Sequence, residues 1–343
     1  MMTKDKHTIF LIIGNGFSMN MIEKMGKENL IDLSNLFRMG DKVPYPSKKD
    51  ECFLSKKYCP DLWMLGAKPT NSKDEASKLI NNIITSMNAH SFYADDEERI
   101  NGIKNTCYYK AYCQLVSYLK NLFIYYNGLI KDEDLEKYSE KTGFVKFIKD
   151  SIKEYNVRII TYNYDILLER LLRLNKIKFK IAGFEQLTKD DEIIIYKPHG
   201  SISFETKRKS NFVQYNLTRD PFDDAKTPIV DMEVIDNVEK DGSLINPIIP
   251  PSGDATRFNS GWHYTIEEKI TECIETARDK DSLIIYGVSY GHVDRNEIDK
   301  ILTTLPYKID VKNINPYPSE TFEMVIGSIF ENYSQYKDFY MEV

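Results

Sequence analysis

Three short polar clusters, each directly behind an apolar run, could together act on one small molecule. Val157-Arg158-Ile159-Ile160 runs into Thr161-Tyr162-Asn163-Tyr164-Asp165, Ile193-Ile194-Ile195-Tyr196 into Lys197-Pro198-His199-Gly200-Ser201, and Phe10-Leu11-Ile12-Ile13 into Gly14-Asn15-Gly16-Phe17-Ser18. His199 can take a proton, because imidazole is the side chain that titrates nearest neutral pH. Asn163 can hold a hydroxyl or a water through its amide. Asp165, two residues further along an extended backbone and so on the same side, can grip an amide or a ribose group. Such a set suits reactions with little covalent work for the protein. Glycosidic C–N cleavage is one, since its oxocarbenium-like transition state needs positioning, electrostatic support and a single base. The blander readings are a structural histidine at 199 and an ordinary tight turn at Gly14-Asn15-Gly16; Asn163 and Asp165, ending a strand expected to neighbour that of His199, favour the chemical one.

The elements that must position these residues follow from periodicity. Each apolar run reads as a buried strand, and Ile166 to Leu172 as the start of a helix, so the polar clusters fall at strand carboxyl ends. In open α/β sheets that edge is where ligands bind. Glycine suits the turn after the first strand, residues 8–13, by reaching positive φ and letting a phosphate approach, although Met19 stands where G-x-G-x-x-G would place its third glycine. Further on, Leu283 to Tyr286 predicts a strand ending at Gly287-Val288-Ser289, Arg295 to Leu302 opens a helix, and Ile309 to Asn315 predicts a strand halted by Pro316. Phe322, Val325, Ile326, Ile329, Phe330 and Tyr333 share one face of a closing amphipathic helix. The alternation predicts an α/β fold with a doubly wound parallel sheet. The whole chain, 1–343, reads as one domain with a helical insertion at about 20–150 and an irregular one at about 204–245. In the first insertion Glu75 to His90 and Ile103 to Leu129 have helical spacing, with Tyr108, Tyr112, Leu115, Leu119, Leu122 and Tyr126 on one face. Residues 244–251 predict another strand end, followed by a polar loop at 252–259.

Composition narrows the classes. Hydrophobic residues make up 42% and charged residues 29% of the 343, ordinary for a globular protein. No apolar run approaches the roughly 18 residues of a membrane span, and the first one is shorter than the roughly 7–15 residues of a signal core. Five cysteines without a C-x-x-C pair favour neither a disulfide framework nor zinc, and the expected compartment is the cytoplasm. A net charge of -6 argues against direct nucleic-acid binding, with Lys207-Arg208-Lys209 read as a solvated loop. His7 and His90 read as surface residues, His263 as a packing or capping residue, and His292 as a candidate for the rim beside a capping Asp294.

Thr161-Tyr162-Asn163-Tyr164-Asp165 resembles the T-x-N-x-D motif of the sirtuin superfamily, Lys197-Pro198-His199-Gly200-Ser201 its H-G motif, and Gly14-Asn15-Gly16-Phe17-Ser18 its first glycine loop. Gly287-Val288-Ser289 and Ile314-Asn315 resemble the later G-x-S and I-N positions, in the same order. The resemblance implies a Rossmann-like fold and cleavage of NAD between nicotinamide and ribose. It would place Gly14, Asn15, Gly16 and Ser18 at the pyrophosphate, Ser289 and Asn315 toward adenosine, and Thr161 and Gly287 among the other binding residues. Asp165 would hold the nicotinamide amide, Asn163 would orient the attacking water, and His199 would act on the ribose hydroxyl or that water. The four-cysteine zinc module of sirtuin deacylases has no counterpart, since no cysteine lies between Ser201 and Thr271. What remains is similar to the zinc-less sirtuin-like NAD hydrolases of bacterial anti-phage defence, with the abortive-infection H family, which also begins with G-N-G-F, as a close relative. The resemblance implies NAD as substrate, no zinc, and latency relieved by homo-oligomerisation or by a helicase-like or Argonaute-like partner. An NAD- or ADP-ribose-sensing module and a protein deacylase are the rival functions.

Overall fold

The computed structural model describes residues 6–91, 102–188, 191–207, 220–238, 245–250, 260–291 and 295–339. Arg208, Lys209, His292, Asp294 and the loop 252–259 lie outside them. The chain divides into two compact units, one of residues 1–26, 130–198 and 263–343, the other of 27–129 and 199–262.

The first unit is built on a seven-stranded parallel sheet of β1 (His7–Ile13), β2 (Tyr155–Thr161), β3 (Lys180–Ile181), β4 (Ile193–Tyr196), β5 (Ser282–Tyr286), β6 (Asp310–Ile314) and β7 (Asn332–Tyr336). Their order is β7-β6-β5-β1-β2-β4-β3, every neighbouring pair parallel. The chain leaves β1 toward β2 and returns on its other side with β5, so the order reverses at β1, and an open crevice forms at such a reversal. Phe10 to Ile13, Ile193 to Tyr196 and Leu283 to Tyr286 are all buried. These strands are apolar at successive positions because a parallel sheet covered on both faces leaves no side for polar residues. The fold is thus the doubly wound α/β class that the alternation predicts.

Helices Asn15–Met25, Phe144–Glu154 and Leu167–Leu174 flank the sheet. Phe17, on the first of these, packs edge-on against Tyr286 at 5.2 Å between ring centres and tilted against Phe144 at 5.1 Å, which fastens the helix to the end of β5. Tyr333 departs from expectation. The closing helix is Glu320–Ile329, and Tyr333 lies in β7. Pairing of 332–336 with β6 satisfies backbone groups along a sheet edge, and that tertiary gain overrides a helical spacing that continues past the helix end.

In the second unit the long helix Cys107–Leu129 is buried almost all round from Tyr109 to Phe123, so its apolar face is wider than one stripe, while Tyr108 is exposed. Lys120 Nζ donates to the Ile245 carbonyl (3.0 Å) and Asn246 Nδ2 to Ser117 Oγ (3.0 Å), tying the distant segment 245–246 to this helix. That segment forms no strand; it contributes one antiparallel bridge, Ile248 to Gly200. Within the first insertion Pro44–Tyr45 pairs with Lys48–Cys52 as a hairpin.

Candidate active site

The glycine turn is shaped by the chain itself. Gly14 has φ −107° and neither it nor Gly16 has positive φ, contrary to the reason the sequence suggests for glycine here. The glycines are needed because the backbone of Gly287 occupies the space. A β-carbon would stand 2.6 Å from the Gly287 carbonyl oxygen if added at position 14, and 2.7 Å from the Gly287 α-carbon if added at position 16. Hydrogen bonds seal the contact: Gly14 N–H donates to Tyr286 O (3.0 Å) and Gly16 N–H to Gly287 O (2.8 Å). Positive φ belongs to Gly287, at 65°. The loops ending β1 and β5 therefore meet at the point where the strand order reverses.

Asn163 is held from the same turn. Its Nδ2 donates to Gly14 O (3.1 Å) and to Ser18 Oγ (3.0 Å), and Ser18 Oγ in turn donates to Asp165 Oδ2 (2.8 Å). A carbonyl can only accept, so the Gly14 contact fixes which end of the amide is nitrogen. The Asn163 carbonyl oxygen is left as an acceptor with no partner among the described residues. The backbone here is not extended as the sequence suggests. β2 stops at Thr161, whose hydroxyl accepts from Asn163 N–H (3.3 Å), and Asp165 Oδ1 accepts from Leu167 N–H (3.0 Å) at the start of the next helix. Asn163 and Asp165 nevertheless converge, because both reach buried Ser18.

Beneath them lies an ion pair that sequence reasoning missed. Lys197 Nζ donates to Glu169 Oε1 (2.6 Å) and to the Asp165 backbone carbonyl (2.7 Å), and both side chains are almost wholly buried. The available signals were a lysine closing a four-residue apolar strand and an acid on the apolar side of a helix. His263 packs inside the fold, as its place beside Trp262 suggests. It is buried, and its Nδ1 lies 2.7 Å from the Pro198 carbonyl, so Nδ1 carries the proton.

Burial raises the Asp165 carboxyl above its usual range, partly offset by Lys197 and by its hydrogen bonds to Leu167 and Ser18. A carboxyl raised in the folded state contributes stability that is complete below its unfolded value and lost as pH rises through the folded one. The stability difference between Asp165→Asn and the native chain should therefore shift in favour of the variant with increasing pH above about 4. Urea denaturation of both across pH 3.5–7 reads this slope, whatever offset separates the two at the start.

Asn315 stitches the neighbouring loops. Its Nδ2 donates to Val288 O (3.2 Å) and its Oδ1 accepts from Tyr317 N–H (2.9 Å). Ser289 and Asn15 are exposed. The structure thus gathers Gly14, Gly16, Ser18, Thr161, Asn163, Asp165, Gly287 and Asn315 along one edge of the first unit's sheet.

His199 opens the 199–262 segment of the second unit. Within that unit its carbonyl accepts from Ile249 N–H (3.0 Å), and Ser201 N–H donates to Pro247 O (3.1 Å). Gly200 between them has φ +83°, and a β-carbon there would overlap the Pro247 carbonyl oxygen. Gly200→Ala should cost about 2–3 kcal/mol through backbone strain, read as a lowered urea midpoint.

Residues 157–307 match the SIR2-like domain. The match covers under half of the 343-residue chain. It takes in Thr161, Asn163, Asp165, His199, Gly287 and Ser289, while the glycine turn and Asn315 lie outside it. A SIR2-like domain is compatible with NAD-related enzymatic function. No curated protein matches the chain. Among the described residues no helix is long and apolar enough to cross a membrane, and no group of three or more His, Cys, Asp or Glu could hold a metal.

Proposed function

We propose that the protein is an NAD glycohydrolase releasing nicotinamide and ADP-ribose, acting in anti-phage defence by depleting NAD. The observation that carries this reading is the Asn163 amide, pinned through its nitrogen so that a free carbonyl oxygen remains at the carboxyl edge where the strand order reverses. A fixed acceptor there can orient a water by its hydrogen. In the proposed reaction the bond between ribose C1′ and the nicotinamide nitrogen breaks, nicotinamide leaves as a neutral base, and the water oxygen bonds to C1′. His199 receives the proton that the water or ribose hydroxyl releases. Ser18 and Asp165 act chiefly by holding Asn163, and Gly14, Asn15, Gly16, Thr161, Gly287, Ser289 and Asn315 form the loops that receive the dinucleotide. Incubation of purified protein with NAD, with chromatography of the products, tests the reading; nicotinamide and ADP-ribose should appear in equal amounts. Absence of turnover in protein activated by its partner or by self-association would refute it.

One observation favours a sensor of NAD or ADP-ribose instead. Gly16 N–H, Phe17 N–H and the Ser18 hydroxyl, which a phosphate would call upon, are already bonded within the chain. Calorimetry separates the two, because a sensor binds without consuming its ligand and tolerates loss of His199. A deacylase would release a labelled acyl group from a peptide. Activation by a helicase-like or Argonaute-like partner belongs to the same proposal, and co-purification from the native host would show it.

A further inference from the structure

Among the described residues no strand pairs with the outer edge of the sheet, and the sequence of that edge matches a second copy of itself. β7 closes the sheet with the sequence Asn332-Tyr333-Ser334-Gln335-Tyr336, which contains neither charge nor proline. Edge strands normally carry such features to prevent pairing with other chains. The charges stand just outside instead. Glu331 precedes the strand and Lys337 follows it, both exposed and neither in an ion pair among the described residues.

The register follows from the peptide groups. Tyr336 accepts from Asn315 N–H (2.9 Å), so its peptide groups face β6, and alternation turns those of Tyr333 and Gln335 outward. Antiparallel pairing about Ser334 sets Tyr333 opposite Gln335 of the partner subunit, each exchanging both backbone bonds. The same register sets Glu331 opposite Lys337 of the partner subunit, twice over by symmetry. Sliding by two residues in either direction keeps the backbone bonds but separates the charges. One alignment therefore satisfies both.

Exposed aromatic and methionine side chains lie on β7 and on the segments that precede it. Tyr307, whose carbonyl accepts from Glu331 N–H (3.0 Å), is 53% exposed; Tyr317, Met324 and Tyr336 are 88%, 70% and 36% exposed. Two short strands alone fall below the roughly 1,000 Å² of a stable interface, so the expected dimer is a weak, concentration-dependent one.

We propose that the chain forms a two-fold symmetric dimer through β7, continuing the parallel sheet into that of a second copy by antiparallel pairing centred on Ser334. The inference does not depend on the NAD chemistry. Sedimentation equilibrium of the full chain should show a monomer–dimer equilibrium. Glu331→Lys and Lys337→Glu should each weaken the dimer by about tenfold at low salt, by setting like charges opposite. The double variant, which restores opposite charges in the same register, should return to within about threefold of the native constant. Ser334→Lys, which faces its own counterpart, should leave a folded monomer, with circular dichroism confirming the fold. A monomer at every concentration, leaving the edge to a strand from another protein, overturns the proposal. A dimer indifferent to the single substitutions, or one that the double variant fails to restore, overturns it equally.

Discussion

Replacing His199 by alanine is expected to lower NAD turnover by about 10²–10⁴, equivalent to roughly 3–5 kcal/mol of barrier, while ADP-ribose still binds. The range is that of a single positioned base, and ADP-ribose, already cleaved, has no proton to give up in the reaction. Asn163→Ala should lower turnover comparably by another route. It removes the fixed acceptor and also releases Ser18 and the Gly14 carbonyl, so the loss should be accompanied by weaker binding. Chromatographic rates together with calorimetric affinities separate the two variants. Unchanged turnover in His199→Ala would remove His199 from the chemistry, whereas binding without turnover in the native chain would leave the sensor as the better account.

The largest expected effect on stability is at Lys197. Lys197→Met strands the Glu169 carboxylate in the interior without its counter-charge, at a cost of about 3–5 kcal/mol. Glu169 Oε2 has no partner among the described residues, so nothing else relieves the charge. Lys197→Met combined with Glu169→Leu should recover most of the loss, since apolar groups of similar volume replace both ions. Urea denaturation of the two variants decides it. A double variant as unstable as the single one would mean that the bond from Lys197 to the Asp165 carbonyl matters more than the pair.

The strands that carry the site could be read from the sequence because a parallel sheet buried on both faces writes its strands as continuous apolar runs. The buried parts of β1, β4 and β5 are such runs, and β2 is one broken only by Arg158. The two-residue β3, Lys180–Ile181, was too short to leave a pattern. Tyr333 was misread because its spacing from Phe322, Ile326 and Phe330 remains helical after the backbone has become a strand. The second unit was harder for a different reason. Buried Lys120 and Asn246 join segments more than a hundred residues apart, and no local window records such a bond. Within the site, the residue types at 163 and 165 were visible, but their linkage through Ser18 was not. Hydrogen-bond direction depends on which groups meet, and periodicity gives only which side of an element they share.

Gly14, Gly16 and Gly287 interlock so closely that neither loop has room to change alone. Anyone redesigning the protein to accept a different nucleotide would have to transplant the two loops together. A screen that varies one at a time should recover almost nothing but the starting glycines.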